Sequence, residues 1–240
     1  MSGRHHRRVR LRLLLAAGLA VHTLPAPAAV IPGLGRALRI PMGLNAEHGV
    51  ALTFDDGPHP EGTVTALEIL ARESVPATFF LAGEQVEHYP ELAAEIVAMG
   101  HEVGLHCHRH RNQLRLTPHA IADDMRRGEA AIAEACGEAP RLYRPPYGIF
   151  SAAGLAIARR RYRLMLWTRW GRDWSRQATA ESIAARTTEH IRTGDVILLH
   201  DADHYSAPGS WRQTVAALPR ILENLASGGH APVAINDGGS

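Results

Sequence analysis

The chain has 240 residues, which is enough for one domain with its own hydrophobic core. Hydrophobic residues make up 45% of it and charged residues 21%, proportions that are typical of a globular protein. The formal net charge of +2 comes from the N-terminus, because residues 1–28 hold five arginines and no acid, and the remainder carries −3. The chain after residue 28 is slightly acidic and lacks the excess of basic residues that is typical of nucleic-acid-binding proteins, so no nucleic-acid partner is expected.

The N-terminus has the features of an export signal. Arginines precede an apolar run at 13–21, and Ala26 and Ala28 form an A-x-A-like cleavage site. The run is shorter than the ~20 residues of a membrane span, and a histidine and two prolines interrupt its extension. We predict a cleaved signal peptide or a membrane anchor over residues 1–28, and hence a secreted or cell-envelope protein. A twin-arginine signal and a start that stays in solution are the alternatives.

The chain contains two cysteines, Cys107 and Cys136, too few for a disulfide framework. A single bridge is compatible with an exported protein. Two unpaired thiols are an equally good interpretation, because the sequence does not fix the distance between the two Cα atoms.

Residues 29–48 contain several prolines and glycines, show no sustained period and are predicted to form a linker. The domain from 49 to 240 follows. Apolar runs predict strands at 50–54, 77–81, 101–105, 141–144, 163–167 and 195–199, with a closing strand at 232–235. Helical patterns occur at 63–72, 90–99, 117–135, 151–160, 180–191 and 211–225. This alternation favours an α/β domain with a parallel sheet, either open or closed into a barrel.

Polar side chains follow nearly every predicted strand. In parallel α/β folds the active site lies outside the carboxyl ends of the strands. In chain order, the residues at these ends are Asp55 and Asp56, then His106 to His110, Arg144 to Gly148, Trp170 with Asp173 and Trp174, and finally His200 and Asp201. We therefore expect one functional site at this edge of the sheet.

Asp55 and Asp56 follow the first predicted strand, directly before a glycine-proline turn. Adjacent carboxylates repel each other, so a metal, an arginine or a proton must stabilise them. His106 and His110 are four residues apart, and a helical turn would put both imidazoles on one face. With one carboxylate they form a three-ligand set that leaves a coordination position open, as in catalytic metal sites. Helix capping by the acids and two surface histidines are the alternatives.

Five motifs resemble those of the polysaccharide deacetylase (NodB-homology) family, and they occur in the family's order. They are Thr53-Phe54-Asp55-Asp56-Gly57, His106-Cys107-His108-Arg109-His110, Arg144-Pro145-Pro146-Tyr147-Gly148, Asp173-Trp174 and Leu198-Leu199-His200. The resemblance covers about residues 49 to 235 and implies a distorted (β/α) barrel of about seven strands. Cys107 stands where the family usually has Ser or Thr. A thiol is a poorer hydrogen-bonding group than a hydroxyl, so weaker bracing of the metal loop is expected.

The resemblance implies a hydrolase that removes N-acetyl groups from amino sugars in a glycan such as peptidoglycan or a chitin-like polymer. Asp56, His106 and His110 would bind a divalent metal, with zinc as the first choice. Asp55 would be the base that deprotonates a metal-bound water, and Arg144 would keep Asp55 ionised and oriented.

The family pattern also implies the remaining roles. His200 would be the general acid that protonates the leaving amine, with Asp173 supporting its charged form. The implied substrate contacts are the backbone N–H of Tyr147 for the oxyanion, and Trp174 and Leu198 for the acetyl methyl group. We add Trp170 as a candidate sugar contact. Core positions for the tryptophans and for His200, and a helix cap at Asp173, are the structural alternatives.

A long polar loop at residues 201–210 follows His200 and is predicted to shape the substrate groove. We expect a monomer whose partner is an N-acetylated glycan. Two other functions fit the pattern less well: an amide hydrolase of the same fold that acts on a small molecule, and a glycan-binding domain without catalysis.

Overall fold

The computed structural model describes residues 2–45 and 49–236. Residues 46–48 of the predicted linker and 237–240 of the predicted domain lie outside this part of the chain. The helices are α1 (Ser2–Thr23), α2 (Pro32–Ala37), α3 (Gly62–Glu73), α4 (Gly83–His88), α5 (Pro90–Ala98), α6 (Pro118–Cys136), α7 (Ala152–Ala158), α8 (Ala180–Thr188) and α9 (Ser210–Ser227). The strands are β1 (Val50–Asp55), β2 (Thr78–Ala82), β3 (Glu102–Cys107), β4 (Leu142–Tyr143), β5 (Arg163–Leu164), β6 (Arg169–Trp170), β7 (Val196–His200) and β8 (Pro232–Val233).

The strands form one parallel sheet in the order β5-β4-β3-β2-β1-β7-β6, with β8 attached to the start of β1. β1 lies between β2 and β7 and is buried along its whole length, in keeping with its apolar sequence. Helices pack against the sheet. The prediction of a distorted (β/α) barrel of about seven strands is confirmed.

The predicted strand at 163–167 is instead two short strands at opposite ends of the sheet. β5 pairs with β4, whereas β6 pairs with β7. The four residues between them cross the opening of the curled sheet, so they cannot continue one ladder. The crossing is tied to both sides, because the N–H of Met165 donates to Tyr143 and that of Thr168 donates to Val196.

Residues 29–45 of the predicted linker contain α2 and pack against this opening. Ile40 is only 3% exposed. The N–H of Leu166 donates to the carbonyl of Pro41 (2.9 Å), and the N–H of Leu44 donates to the carbonyl of Gly194 (2.8 Å). The segment thus fills the space between the two edge strands.

One stretch of the described chain, Arg12–Ala29, is long and apolar enough to cross a membrane, with a mean hydropathy of 1.2. A signal sequence near an N-terminus has the same length and composition. The division into leader, linker and catalytic domain therefore stays a prediction.

Candidate active site

The predicted site residues meet in a cavity of about 390 Å³ at the carboxyl ends of the strands. Nine of the eleven residues line this cavity, namely Asp55, Asp56, His106, His110, Tyr147, Trp170, Trp174, Leu198 and His200. Arg144 and Asp173 do not line it. They are 0% and 1% exposed and contact Asp55 and His200, respectively.

Asp56, His106 and His110 bring three potential ligand atoms within 4.8 Å of one another. Oδ1 of Asp56 lies 3.4 Å from Nε2 of His106 and 3.5 Å from Nε2 of His110. This buried oxygen has no hydrogen bond of good geometry among the described residues. A buried carboxylate oxygen that faces two imidazole nitrogens fits a divalent cation, because all three groups are ordinary zinc ligands.

The electrostatic environment favours the protonation states that bind a metal. Burial lowers the pKa of His110 to about 4, so its imidazole is neutral at pH 7. Burial alone would raise the pKa of Asp56, but His106, His200 and His110 together hold it well below its usual range. The carboxylate is therefore ionised, and metal ligation requires an ionised carboxylate and neutral imidazoles.

The two histidines do not share a helical turn, contrary to the geometry assumed from their spacing. His106 lies in β3, whereas His110 lies in the irregular loop beyond it. The loop folds back so that the ring centroids are 5.2 Å apart. Asp56 meets them from a left-handed backbone conformation with φ of 78°, which aspartate tolerates better than most residues.

Asp55 is held by Arg144, whose Nη1 donates to Oδ1 of Asp55 at 2.7 Å and to Oγ1 of Thr53 at 2.8 Å. The other donors of the guanidinium reach carbonyls in the crossing between β5 and β6: Nε bonds Met165 at 3.0 Å and Nη2 bonds Leu166 at 2.8 Å. The broken strand leaves these carbonyls without a ladder partner. Arg144 therefore fixes the carboxylate of Asp55 and also satisfies carbonyls of the interrupted strand.

Arg144 is fully buried beneath the cavity floor. Burial lowers its pKa from the usual arginine value, and the charge of Asp55 opposes that effect. The guanidinium also lies 4.0 Å from the centroid of the Phe80 ring, a cation–π arrangement. Removing either partner of such a buried pair leaves an uncompensated charge.

His200 is backed by Asp173. Nδ1 of His200 lies 3.0 Å from Oδ1 of Asp173, and the backbone N–H of His200 donates to the other carboxylate oxygen at 2.6 Å. Thr214 donates to that same oxygen. Burial lowers the pKa of His200, but Asp173, Asp56 and Asp55 outweigh it and raise the pKa to about 10. Nε2, the nitrogen on the cavity side, lies 4.0 Å from Oδ2 of Asp56.

The predicted substrate contacts lie around the cavity rim and wall. Tyr147 is 56% exposed and has a left-handed φ of 60°, and its ring meets His110 edge-on at 4.5 Å. Its N–H has no backbone acceptor among the described residues. Trp174 is 38% exposed and approaches His200 edge-on at 5.6 Å, whereas Leu198 is buried in the wall.

Sequence reasoning missed Tyr205, which lies in the loop after β7 and lines the cavity. Its ring stacks on His110 with centroids 4.4 Å apart and planes 10° from parallel. The hydroxyl donates to Glu84 at 2.6 Å and accepts from Gln85 at 3.2 Å, both in α4. A tyrosine in a polar loop carries no sequence signal for a contact with a histidine 95 positions earlier.

Asp124 of α6 braces the loop that carries His110. Its carboxylate accepts from the backbone N–H of His108 at 2.9 Å and of Arg109 at 3.2 Å, and from the Arg111 side chain at 2.6 Å. This bracing does not involve the side chain of Cys107, which is buried and whose pKa burial raises. The loop is thus fastened from α6, and neither cysteine is in a disulfide.

Asp201 is another buried acid, which the sequence placed at a strand end without assigning it a role. It is 0% exposed, and Thr63 donates to its Oδ2. Burial raises the pKa of Asp201 to about 7. A Cβ on Gly57 would lie 2.7 Å from Oδ2, so the turn after Asp56 packs directly on this carboxyl group. Asp201 supports the turn rather than the cavity.

Similarity to known proteins agrees with this geometry. The family model described as polysaccharide deacetylase matches residues 44–161. A chitooligosaccharide deacetylase from Bradyrhizobium sp. (strain ANU 289) is 37% identical over 193 residues, which are 76% of this chain and 86% of the relative. A peptidoglycan-N-acetylglucosamine deacetylase from Bacillus cereus is 33% identical over 197 residues, 80% of this chain and 89% of the relative.

A solved structure shares the architecture. The crystal structure of the Bc1960 peptidoglycan N-acetylglucosamine deacetylase superposes with a TM-score of 0.78 and 27% sequence identity, covering 85% of this chain and 95% of that chain. Taken with the five motifs and the converging strand ends, these matches mean that the chain belongs to the polysaccharide deacetylase family, the NodB-homology group.

Proposed function

We propose that the protein is a divalent-metal-dependent N-deacetylase of N-acetylated amino sugars in a glycan. The observation that carries the proposal is one cavity that holds a three-ligand cluster, a carboxylate fixed by a buried arginine and a histidine backed by a carboxylate. Amide hydrolysis needs an activated water, a stabilised oxyanion and a proton for the amine, and each need has a candidate group here.

Asp56, His106 and His110 would hold the metal, and zinc suits one carboxylate and two imidazoles with a position left open. A divalent cation bound there would lower the pKa of a coordinated water and polarise the amide carbonyl.

The protein's own groups would handle the protons. Arg144 engages Oδ1 of Asp55, which leaves Oδ2 free to accept a proton from the attacking water. Nε2 of His200 would donate a proton to the departing amine, because Asp173 holds Nδ1 and favours the charged ring. The N–H of Tyr147 is a candidate donor to the oxyanion, and Trp174 and Leu198 would enclose the acetyl methyl group.

Peptidoglycan and chitin-type oligomers are the substrates we propose, because the two relatives are named for such glycans. Export through the N-terminal segment would bring the enzyme to a cell-wall or extracellular glycan, and the apolar stretch Arg12–Ala29 supports that route. We propose that loop 201–210 helps to set the preference, since Tyr205 and Ser206 line the cavity.

The test is an acetate-release assay on the purified protein, first stripped of metal and then reloaded with zinc or cobalt. Fragments of peptidoglycan and oligomers of N-acetylglucosamine are the substrates. We expect acetate only with metal, and His110→Ala should lose this activity. If the metal-loaded protein released no acetate from any of these glycans, the proposed function would be contradicted.

A further inference from the structure

A second hollow, of about 640 Å³, adjoins the cavity described above. The two share three lining residues, Val30, Trp167 and Trp170, so they lie side by side. The volume falls in the range of ~300–1,000 Å³ that is usual for ligand sites.

We propose that this hollow is a subsite for the neighbouring sugar ring of the same glycan, and that the N-terminal segment 30–44 forms its outer wall. The inference rests on the proposed function, because it assigns an additional ring of that substrate. It also gives the segment predicted to be a linker a direct part in substrate selection.

A row of tryptophans leads from the candidate acid to the hollow. Trp174 lies 5.6 Å from His200, Trp170 lies 6.3 Å from Trp174, and Trp167 lies 5.7 Å from Trp170. Sugar rings present apolar C–H faces to such indoles and hydroxyls at their edges. Trp167 lines the hollow, but its indole Nε1 is buried and does not reach a ligand there.

The outer wall is fixed in place rather than loosely apposed. Hydrogen bonds from Leu166 to Pro41 and from Leu44 to Gly194 tie it to both sides of the sheet opening. Ile40 anchors it in the core. A fixed wall opposite Trp170 can select a ligand, since binding then costs little ordering of the protein.

The test places a bulky side chain in the hollow without touching the catalytic cavity. Pro32 is exposed, lines only the second hollow and occupies the first position of α2. Pro118 is its matched control: it is exposed, begins α6 and lines neither hollow. Pro32→Trp and Pro118→Trp are compared with the unmodified chain.

Binding of N-acetylglucosamine and N-acetylchitotetraose to the metal-free protein is measured by titration calorimetry. We expect Pro32→Trp to weaken tetraose binding about threefold to tenfold, the value of one lost ring contact, while binding of the single sugar stays within about twofold. Pro118→Trp should change neither. Equal effects on both sugars, or none, would overturn the subsite.

Measurements of acetate release distinguish a failure of the subsite from a failure of the proposed function. Acetate release from the tetraose that is unchanged in Pro32→Trp, together with unchanged tetraose binding, would contradict the subsite and leave deacetylation intact. If no glycan released acetate, the proposed function would be contradicted, and the binding comparison would still show whether the hollow binds a sugar ring.

Discussion

Asp55 and Asp56 are neighbours in the chain, yet they have different partners. Asp55 is the last residue of β1 and meets Arg144, whereas Asp56 turns into the left-handed region and meets the two histidines. Two adjacent carboxylates are therefore compensated separately, since Arg144 pairs with Asp55, and protonated His200 lies 4.0 Å from Oδ2 of Asp56.

The role proposed for His200, that of the general acid, predicts how the proposed reaction depends on pH. A general acid must be protonated, so activity should fall as the pH rises through the pKa of His200, which the surrounding carboxylates raise to about 10. A cation bound to Asp56 would remove the contribution of Asp56 to the raised pKa of His200, but the contribution of Asp173 would remain. We expect Asp173→Asn to move the alkaline limb of kcat/KM down by ~1–3 pH units.

The control for that variant is its thermal unfolding, because Asp173 is buried and also bonds Thr214 and the His200 backbone. A folded Asp173→Asn protein whose alkaline limb is unmoved would show that Asp173 does not tune the acid.

At the scale of elements, two connections hold the candidate metal ligands in place. The loop after β7 brings Tyr205 onto His110, and α4 anchors the tyrosine hydroxyl. The loop after β3 is fastened by Asp124 of α6. Neither support is one of the residues marked by the motifs, although both determine where an imidazole lies.

Tyr205 provides a direct test of this support. We expect Tyr205→Ala to weaken cobalt binding to the metal-free protein ~10-fold or more, as loss of an outer contact to a metal ligand usually does. Tyr205→Phe is the matched control, because it keeps the stacked ring and loses only the hydroxyl's bonds to Glu84 and Gln85. The measurement is the cobalt absorption spectrum during titration. Wild-type affinity in the alanine variant would rule out a positioning role.

At the scale of the whole molecule, the curled sheet is open between β5 and β6, and the opening is filled from two sides. On the inner side, Arg144 donates to the carbonyls of the crossing between β5 and β6. On the outer side, residues 40–44 form backbone hydrogen bonds with Leu166 and Gly194. The fold therefore extends N-terminally beyond the strands that form the sheet.

Ile40 tests whether that segment belongs to the folded unit. The side chain is 3% exposed, so Ile40→Ala should lower the free energy of unfolding by ~2–5 kcal/mol. Ile31→Ala is the comparison, since Ile31 is 49% exposed and should change stability little. Denaturant unfolding gives both values. Equal midpoints for the two variants would mean that the segment is a detached linker.

The sequence predicted the parallel fold and the convergence of polar residues because both follow from local signals. Apolar runs such as that of β7 identify buried strands, and the carboxyl ends of parallel strands meet at one edge. Other features depend on long-range packing. α4 is only six residues long, too short to show a period, and the division of 163–170 into two strands depends on neighbours far away in the chain. Tyr205 and Asp124 had no motif to reveal them.

The central claim is that the two adjacent acids have separate tasks, with Asp56 on the metal and Asp55 on the proton. The most direct measurement is metal content together with acetate release in Asp55→Asn and Asp56→Asn. We predict that Asp56→Asn loses the metal, whereas Asp55→Asn keeps it and loses turnover by ~10²–10⁴-fold, the usual contribution of a general base. Full metal content in Asp56→Asn, or unimpaired turnover in Asp55→Asn, would contradict the account.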